Sequence, residues 1–74
     1  MKVTVKLFAS FRNGRTPVET REFPAGTTVA DIVAEQRIPV AELGIIMVNS
    51  RHVAIDRELV DGDTLAIFPL LGGG

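Results

Sequence analysis

A single amphipathic helix, predicted for residues 28–37, is the feature that most limits how this chain can fold. The apolar side chains of one helix face, spaced at i, i+3 and i+4, are Val29, Ile32 and Val33. Thr28 and Asp31 resemble a capping box at the helix start, and Pro39 ends the helix. In a domain this small, one helix between two pairs of strands packs on one face of a sheet and leaves the other face open.

Extended segments flank this helix on both sides. The predicted strands are residues 2–9, 18–23, 45–48, 52–55 and 64–68. Turn residues separate them at Asn13-Gly14, Asn49-Ser50 and Asp61-Gly62-Asp63, and residues 40–44 predict a short turn of helix. This order predicts an α+β fold, a β-grasp (ubiquitin-like) roll with a mixed four- to five-stranded sheet and one main helix on one face. We expect residues 1–69 to form this domain and residues 70–74 to form a flexible, Gly-rich C-terminal tail.

The alternation within the strands assigns side chains to the two faces of the sheet. The side chains predicted to face the helix are Val3, Val5, Leu7, Leu65 and Ile67. Phe8, Ala66 and Phe68 then point to the open face, where two phenylalanines on neighbouring strands would form an apolar patch for a partner. In the alternative interpretation, both rings lie at the sheet edge and are half covered by loops.

Composition argues against several classes of function. A chain of 74 residues buries only about 60% of its unfolded surface, which leaves little room for an internal active site. The net charge is −1 and the basic residues are scattered, so we expect no nucleic-acid partner. There is no cysteine and His52 is the sole histidine, so we expect no metal site and interpret His52 as a solvated strand residue. Without a long apolar stretch or a signal-peptide pattern, we expect no membrane partner and a cytoplasmic location.

The chain ends in Gly72, Gly73 and Gly74, directly after the last predicted strand. Glycines add no side chain to a core, so this tail is either a disordered terminus without a role or a segment with a function. A tail with a function would present the ionised α-carboxylate of Gly74 on a slender backbone. From Leu70 onward this backbone can reach about 17 Å at roughly 3.3–3.6 Å per residue. A carboxylate is a poor acyl donor until it becomes an acyl adenylate. That step needs ATP and a catalyst, and the side chains here predict no catalytic set.

A group of acidic residues precedes the last strand. Its members are Asp56, Glu58, Asp61 and Asp63. Asp-Gly-Asp before a strand is typical of a turn, and the alternative is an acidic stripe that faces a basic partner.

Two parts of the sequence resemble a known family. The first is the run Val5-Lys6-Leu7-Phe8-Ala9-Ser10-Phe11-Arg12. The second comprises Val48-Asn49, Val53, Asp56, Leu59, Asp61-Gly62-Asp63, Ile67-Phe68-Pro69 and the closing Gly-Gly. In this order and spacing, and over nearly its whole length, the chain resembles the ubiquitin-like sulfur carriers of the MoaD/ThiS type.

The resemblance implies a carrier that partner enzymes activate, not an enzyme, with no bound cofactor. An E1-like adenylyltransferase of the MoeB/ThiF kind would use ATP to adenylate Gly74, and a sulfur donor would then convert it to a thiocarboxylate. The acceptor would be the large subunit of molybdopterin synthase or, alternatively, thiazole synthase. The residues implied to contact partners are Phe8, Phe68, Leu70, Leu71, Gly72 and Gly73.

Three questions stay open at the level of sequence. The Phe-Ala-x-x-Arg opening and Phe68-Pro69 are similar to the molybdopterin carriers, whereas a Gly-Gly-Gly ending is commoner in the thiamine carriers, and a tungsten-cofactor carrier is a further option. His52 stands where the family has an aliphatic residue. The rival functions are a protein modifier joined to target lysines and an interaction module that uses Phe8 and Phe68 while the tail is idle.

Overall fold

Five strands form one mixed sheet in a computed structural model that describes residues 1–71. The strands are β1 (Lys2–Leu7), β2 (Val18–Glu22), β3 (Leu43–Val48), β4 (Arg51–His52) and β5 (Thr64–Pro69), and the helix is α1 (Val29–Glu35). The sheet order is β2-β1-β5-β3-β4, with β1 and β5 parallel and the other neighbours antiparallel. The α+β β-grasp prediction is confirmed.

The core lies between α1 and one face of the sheet, as the alternation predicts. The side chains with at most 2% exposure on the two central strands are Val3, Val5, Leu7, Leu65 and Ile67. From the helix, Val29, Ile32 and Val33 pack against them. Burial of these aliphatic groups, at about 25 cal/mol per Å² of apolar surface removed from water, is what holds helix and sheet together.

The start of α1 is closed by side-chain and backbone groups together. The capping box is present: the Thr28 hydroxyl accepts the Asp31 N–H, and the Asp31 carboxylate accepts the Thr28 N–H. The N–H groups of Val29 and Ala30, which have no partner within a helix, donate to carbonyls of the loop that follows β4. The helix is shorter than predicted, since Arg37 already has a φ of +58° and leaves the helical path before Pro39.

Two predicted strands are too long. The first ends at Leu7, because Ala9 adopts a φ of +52° and starts a short 3-10 helix over Ala9–Arg12 that buries Phe11. The fourth was predicted over residues 52–55 but spans only Arg51–His52. The Val53 N–H still donates to the Ile46 carbonyl of β3 at 3.2 Å, but the Ile55 carbonyl accepts the Ala30 N–H of α1 at 2.8 Å, so the chain turns from the sheet toward the helix.

An ion pair joins β2 to α1 on the helix side of the sheet. Arg21 holds the Glu35 carboxylate with two hydrogen bonds, one of them 2.9 Å long. The hydrogen bonding of Arg21 lowers the pKa of Glu35. Because this pKa is lower in the folded state, the pair adds stability above the unfolded pKa of about 4.3, and this contribution is lost as the pH falls through the folded-state pKa.

None of the helices within residues 1–71 combines the length and the apolar content that spanning a membrane requires.

Candidate functional site

The open face of the sheet carries two stacked phenylalanines. The parallel register pairs Leu7 with Ile67, which places Phe8 beside Phe68 at the carboxyl ends of the central strands. Their ring centroids are 4.2 Å apart with an angle of 11° between the planes. Both side chains are half-buried, and they lie at the end of the central strands instead of at a lateral edge. The structure thus brings the two predicted residues together, while their contact with a partner stays a prediction.

The turn after β1 explains why Phe8 stays on this face. Its N–H donates to the Ile67 carbonyl at 3.2 Å, which continues the ladder by one residue. Ala9 then takes the left-handed conformation, which is costly for a residue with a Cβ, and redirects the chain so that Phe11 enters the core. One turn therefore sends neighbouring aromatic residues to opposite sides of the sheet.

Two further apolar residues extend this surface. Ile45 lies opposite Phe68 and Met47 lies opposite Ala66 in the pairing of β3 with β5, so both point to the open face. Ile45 is 39% exposed. The sequence alone does not predict these two residues, because Ile45-Ile46-Met47-Val48 is apolar throughout and shows no alternation. Only the register with β5 shows which side chains face outward. Val48 pairs with the buried Leu65, so Met47 beside it points to the open face. Together Phe8, Ile45, Met47 and Phe68 form what we call the apolar patch.

A depression of about 470 Å³ lies next to the apolar patch. Its lining residues are Lys6, Phe8, Met47, Asn49, Ser50, Thr64, Ala66 and Phe68. Among them Lys6 is the only charged residue. The arrangement offers a partner an apolar contact bordered by hydroxyl, amide and ammonium groups, which resembles the composition of a protein interface with a polar rim.

His52 lies at the outer side of the same face. It pairs with Met47 across β3 and β4 and is exposed, as the interpretation as a solvated strand residue expects. Within residues 1–71, no three His, Cys, Asp or Glu side chains come close enough together to hold a metal ion.

The acidic group before β5 is divided between the interior and the surface. Asp63 is 3% exposed and accepts hydrogen bonds from the Val60 N–H and the Asn49 side-chain amide, each at 2.9 Å. Asp61 accepts the Lys2 N–H at 2.7 Å. Asp63 thus closes the turn through the Val60 N–H, as the turn interpretation predicts, whereas Asp61 ties this turn to β1. The alternative of an acidic stripe is excluded for Asp63, which is too buried for a partner to reach.

Leu70 and Leu71 follow β5 and are the last described residues. Pro69 is buried, and the Leu70 N–H donates to the Glu42 carbonyl at 2.9 Å. The side chains of Leu70 and Leu71 are 62% and 79% exposed. Both predicted contact residues are therefore accessible at the point of exit, and their role stays a prediction.

The predicted reactive residue Gly74 and the predicted contact residues Gly72 and Gly73 lie outside the described residues. The division into a domain of residues 1–69 and a tail of residues 70–74 also stays a prediction.

Solved structures of similar shape belong to small proteins of cofactor synthesis and protein modification. The "Putative molybdopterin converting factor, subunit 1" of Pyrococcus furiosus is 35% identical, with 93% of this chain and 97% of the other covered and a TM-score of 0.75. SAMP1 of Haloferax volcanii is 21% identical with full coverage of both chains and a TM-score of 0.74. The complex of subunits 1 and 2 of molybdopterin-converting factor from Helicobacter pylori 26695 is matched at 19% identity and a TM-score of 0.68, with full coverage of both chains. The last two likenesses show the fold alone.

Sequence comparison assigns the family. No curated protein matches the chain significantly. The model of the ThiS family, however, matches residues 5–74, which include the end of the first strand, the apolar patch and the terminal glycines. Members of this family are small sulfur-carrier or subunit proteins that are generally not catalytic themselves. The match spans nearly the entire chain, and the protein therefore belongs to the ThiS family of ubiquitin-like sulfur carriers.

Proposed function

We propose that this protein is a sulfur carrier whose reactive group is the carboxyl group of Gly74. The single observation that carries the proposal is the family match, which runs through the terminal glycines to residue 74. The chain also has no cysteine, so no side-chain thiol competes for sulfur. With the sulfur on the backbone terminus, the folded domain serves to present that terminus to partner enzymes.

Activation proceeds in two steps. A carboxylate oxygen of Gly74 attacks the α-phosphorus of ATP, the new O–P bond forms as the bond to the β-phosphate breaks, and pyrophosphate leaves. The acyl adenylate lacks the negative charge that makes a carboxylate unreactive toward nucleophiles. Sulfide or a sulfide-equivalent donor then attacks the carbonyl carbon, and AMP leaves with the electron pair of the C–O bond. The product is a thiocarboxylate, and no oxidation or reduction of the carrier is involved.

The partner that catalyses adenylation is a MoeB/ThiF-type enzyme in this proposal. It docks on the apolar patch while Leu70, Leu71, Gly72 and Gly73 lead the carboxylate into its active site. The stacked rings of Phe8 and Phe68 suit this role because apolar, half-buried aromatic groups supply most of the binding energy at many interfaces. Since the reaction consumes ATP, the proposed location is the cytoplasm.

For the acceptor we propose the large subunit of molybdopterin synthase. The 35% identical Pyrococcus furiosus protein is described as a molybdopterin converting factor subunit, which supports the molybdenum or tungsten branch over thiamine thiazole synthesis. The Helicobacter pylori structure contains both subunits of such a factor and supports a stable pair of proteins in this branch. Co-purification separates the branches: we expect binding to the molybdopterin synthase large subunit, whereas retention only by thiazole synthase would move the protein to the thiamine branch.

The first test measures adenylation itself. The MoeB/ThiF-type enzyme from the same organism is mixed with ATP, labelled pyrophosphate and either the full chain or a variant without Gly72, Gly73 and Gly74. We expect exchange of label into ATP with the full chain and none with the shortened one. If both variants support exchange equally, or if neither does, the carboxyl group of Gly74 is not the acceptor of AMP and the proposal is wrong.

A second candidate, attachment to target lysines, uses the same activated terminus. The likeness in fold to small archaeal modifier protein 1 (SAMP1) of Haloferax volcanii, seen in two solved structures of that protein, is the observation that favours it. In this case a lysine amine displaces AMP and an isopeptide bond forms. High-mass conjugates that disappear when Gly74 is deleted would support the modifier function, and their absence from cells with an active carrier would exclude it.

A further inference from the structure

We infer that Gly44 is a positioning residue, which sets the path along which the chain leaves the domain toward Gly74. The inference rests on the proposed function, since the path matters only if the terminus reacts. It starts from a close approach between β3 and the end of β5 that only a residue without a Cβ allows.

The approach involves backbone atoms on both sides. A Cβ on Gly44 would lie 2.7 Å from the carbonyl carbon of Pro69 and 2.9 Å from the nitrogen of Leu70, and closer still to the Pro69 oxygen. Real Cβ atoms essentially never come within 3.0 Å of another heavy atom. Backbone atoms cannot rotate away as a side chain can. Any residue other than glycine at this position therefore displaces Pro69 and Leu70.

Glycine is needed here for space and not for its backbone conformation. The glycines with positive φ are Gly14, Gly26 and Gly62 within the described part of the chain, and Gly44 is not among them. Alanine at position 44 is thus free of dihedral strain, and its effect comes from the displaced segment alone. The need for glycine at position 44 thus differs from the usual need for glycine in a turn, which is a positive φ.

The same place holds a bulge and an anchoring hydrogen bond. Leu43 pairs with Pro69 and Ile45 pairs with Phe68, so Gly44 is the extra residue of β3 at a register shift. Pro69 has no N–H to donate. The next donor, the Leu70 N–H, bonds to the Glu42 carbonyl at 2.9 Å. The bulge therefore brings the Glu42 carbonyl to the first backbone donor after Pro69.

The size of the expected effect follows from the distances. To restore an ordinary contact of 3.4 Å from 2.7 Å, the Pro69 carbonyl carbon must move by about 0.7 Å. When the partner holds both the apolar patch and the extended residues 70–73, the tail has no slack, so this movement is passed to the reacting carboxylate. A misplacement of about 1 Å costs roughly 10²-fold in rate. For Gly44→Ala we expect a loss of about 10- to 100-fold in kcat for adenylation, larger than any change in KM.

Gly62→Ala is the matched control. Gly62 lies in the turn before β5, at the opposite end of that strand, and a Cβ there meets nothing within 4 Å. Its φ of +89° makes alanine unfavourable, so the variant is destabilised without any change at Pro69 or Leu70. We expect wild-type kcat for folded Gly62→Ala. A loss of kcat equal to that of Gly44→Ala would assign the effect to general destabilisation and overturn the inference.

Amide hydrogen exchange, which needs no enzyme, tests separately whether Gly44 holds the end of β5 in place. Amide hydrogen exchange in the wild-type chain is expected to be slower at Leu70 than at Leu71, and in Gly44→Ala the protection at Leu70 is lost while that of Val5 and Leu65 is kept. Equal exchange at Leu70 in both proteins would show that Gly44 does not hold the exit. If exchange changes as expected but the wild-type chain is never adenylated, the proposed function fails and the path set by Gly44 has no role in activation. If exchange changes, wild type is adenylated and Gly44→Ala keeps its kcat, the positioning role is refuted.

Discussion

Replacing Asp63 by asparagine tests the account of how β5 is held. The two carboxylate oxygens of Asp63 have different donors, the Asn49 side-chain amide and the Val60 N–H, and the Arg57 guanidinium lies 3.7 Å away. Asn49 in turn accepts the Thr64 N–H at 3.0 Å, so the network joins the turn after β3 to the first residue of β5. Asparagine has nearly the same shape, but only one of its two terminal atoms accepts hydrogen bonds.

The expected loss in the free energy of unfolding follows from the hydrogen bond that the asparagine amide cannot accept. One of the two hydrogen bonds is lost, and an NH₂ group then faces a donor in a site that is 3% exposed. Hydrogen bonds to charged groups contribute roughly 1.5–3 kcal/mol, and an unsatisfied buried donor costs a similar amount. For Asp63→Asn we expect a decrease of about 2–3 kcal/mol in the free energy of unfolding. At roughly 4–8 °C per kcal/mol for a domain of this size, Tm falls by about 10–20 °C.

Asp61→Asn, two residues away in the same turn, is the matched control. The exposed Asp61 accepts one hydrogen bond, from the Lys2 N–H, and asparagine keeps that acceptor. Urea unfolding followed by circular dichroism should show a change below about 0.5 kcal/mol for this variant. The reasoning is refuted if the two variants lose the same stability, or if Asp63→Asn is as stable as wild type.

Three further predictions follow from other parts of the molecule. Glu35→Gln should lower the free energy of unfolding by about 0.3–1 kcal/mol at pH 7, because the pair with Arg21 is half exposed, and by progressively less as the pH falls below about 4.3 and Glu35 becomes protonated. A loss that does not depend on pH in urea titrations would contradict this. Thr28→Ala removes the helix cap and should cost about 1 kcal/mol in the same assay, and no change would mean that the capping box is dispensable. Phe68→Ala should raise the Kd for the adenylyltransferase by about 10-fold or more, measured by calorimetry. Val60 is 57% exposed in the loop before β5, and Val60→Ala should leave this Kd unchanged. Similar effects of the two variants would exclude the apolar patch as the docking site.

The parts of the fold that local patterns determine could be predicted from the sequence. The spacing of Val29, Ile32 and Val33 and the pair Thr28 and Asp31 placed α1 and its capping box, since both depend on residues a few positions apart. The alternation in β1 assigned Val3, Val5 and Leu7 to the core, because one face of the sheet is covered and the other is not.

The rest depends on contacts between distant residues. The fourth strand is short because the Ile55 carbonyl is used by the helix N-terminus, a bond between residues 25 positions apart that no local pattern reveals. The sequence does not reveal the left-handed turn at Ala9, because alanine is not among the residue types that favour turns. Ile45 and Met47 were missed from the apolar patch, because in an all-apolar strand only the register with β5 shows which side chains face outward. The contact of Gly44 with Pro69 is likewise visible only once β3 and β5 are paired.

The central claim, that the carboxyl group of Gly74 receives the sulfur, is tested most directly by locating that atom. The full chain is incubated with the MoeB/ThiF-type adenylyltransferase, ATP and sodium sulfide, and is then cleaved with trypsin, which releases residues 58–74 as one peptide because no Lys or Arg follows Arg57. Tandem mass spectrometry of this peptide should show a gain equal to the mass of sulfur minus that of oxygen, confined to the fragment that contains Gly74 and dependent on ATP. A gain on any other residue, or an unchanged peptide under conditions in which the enzyme consumes ATP with this chain, would contradict the claim.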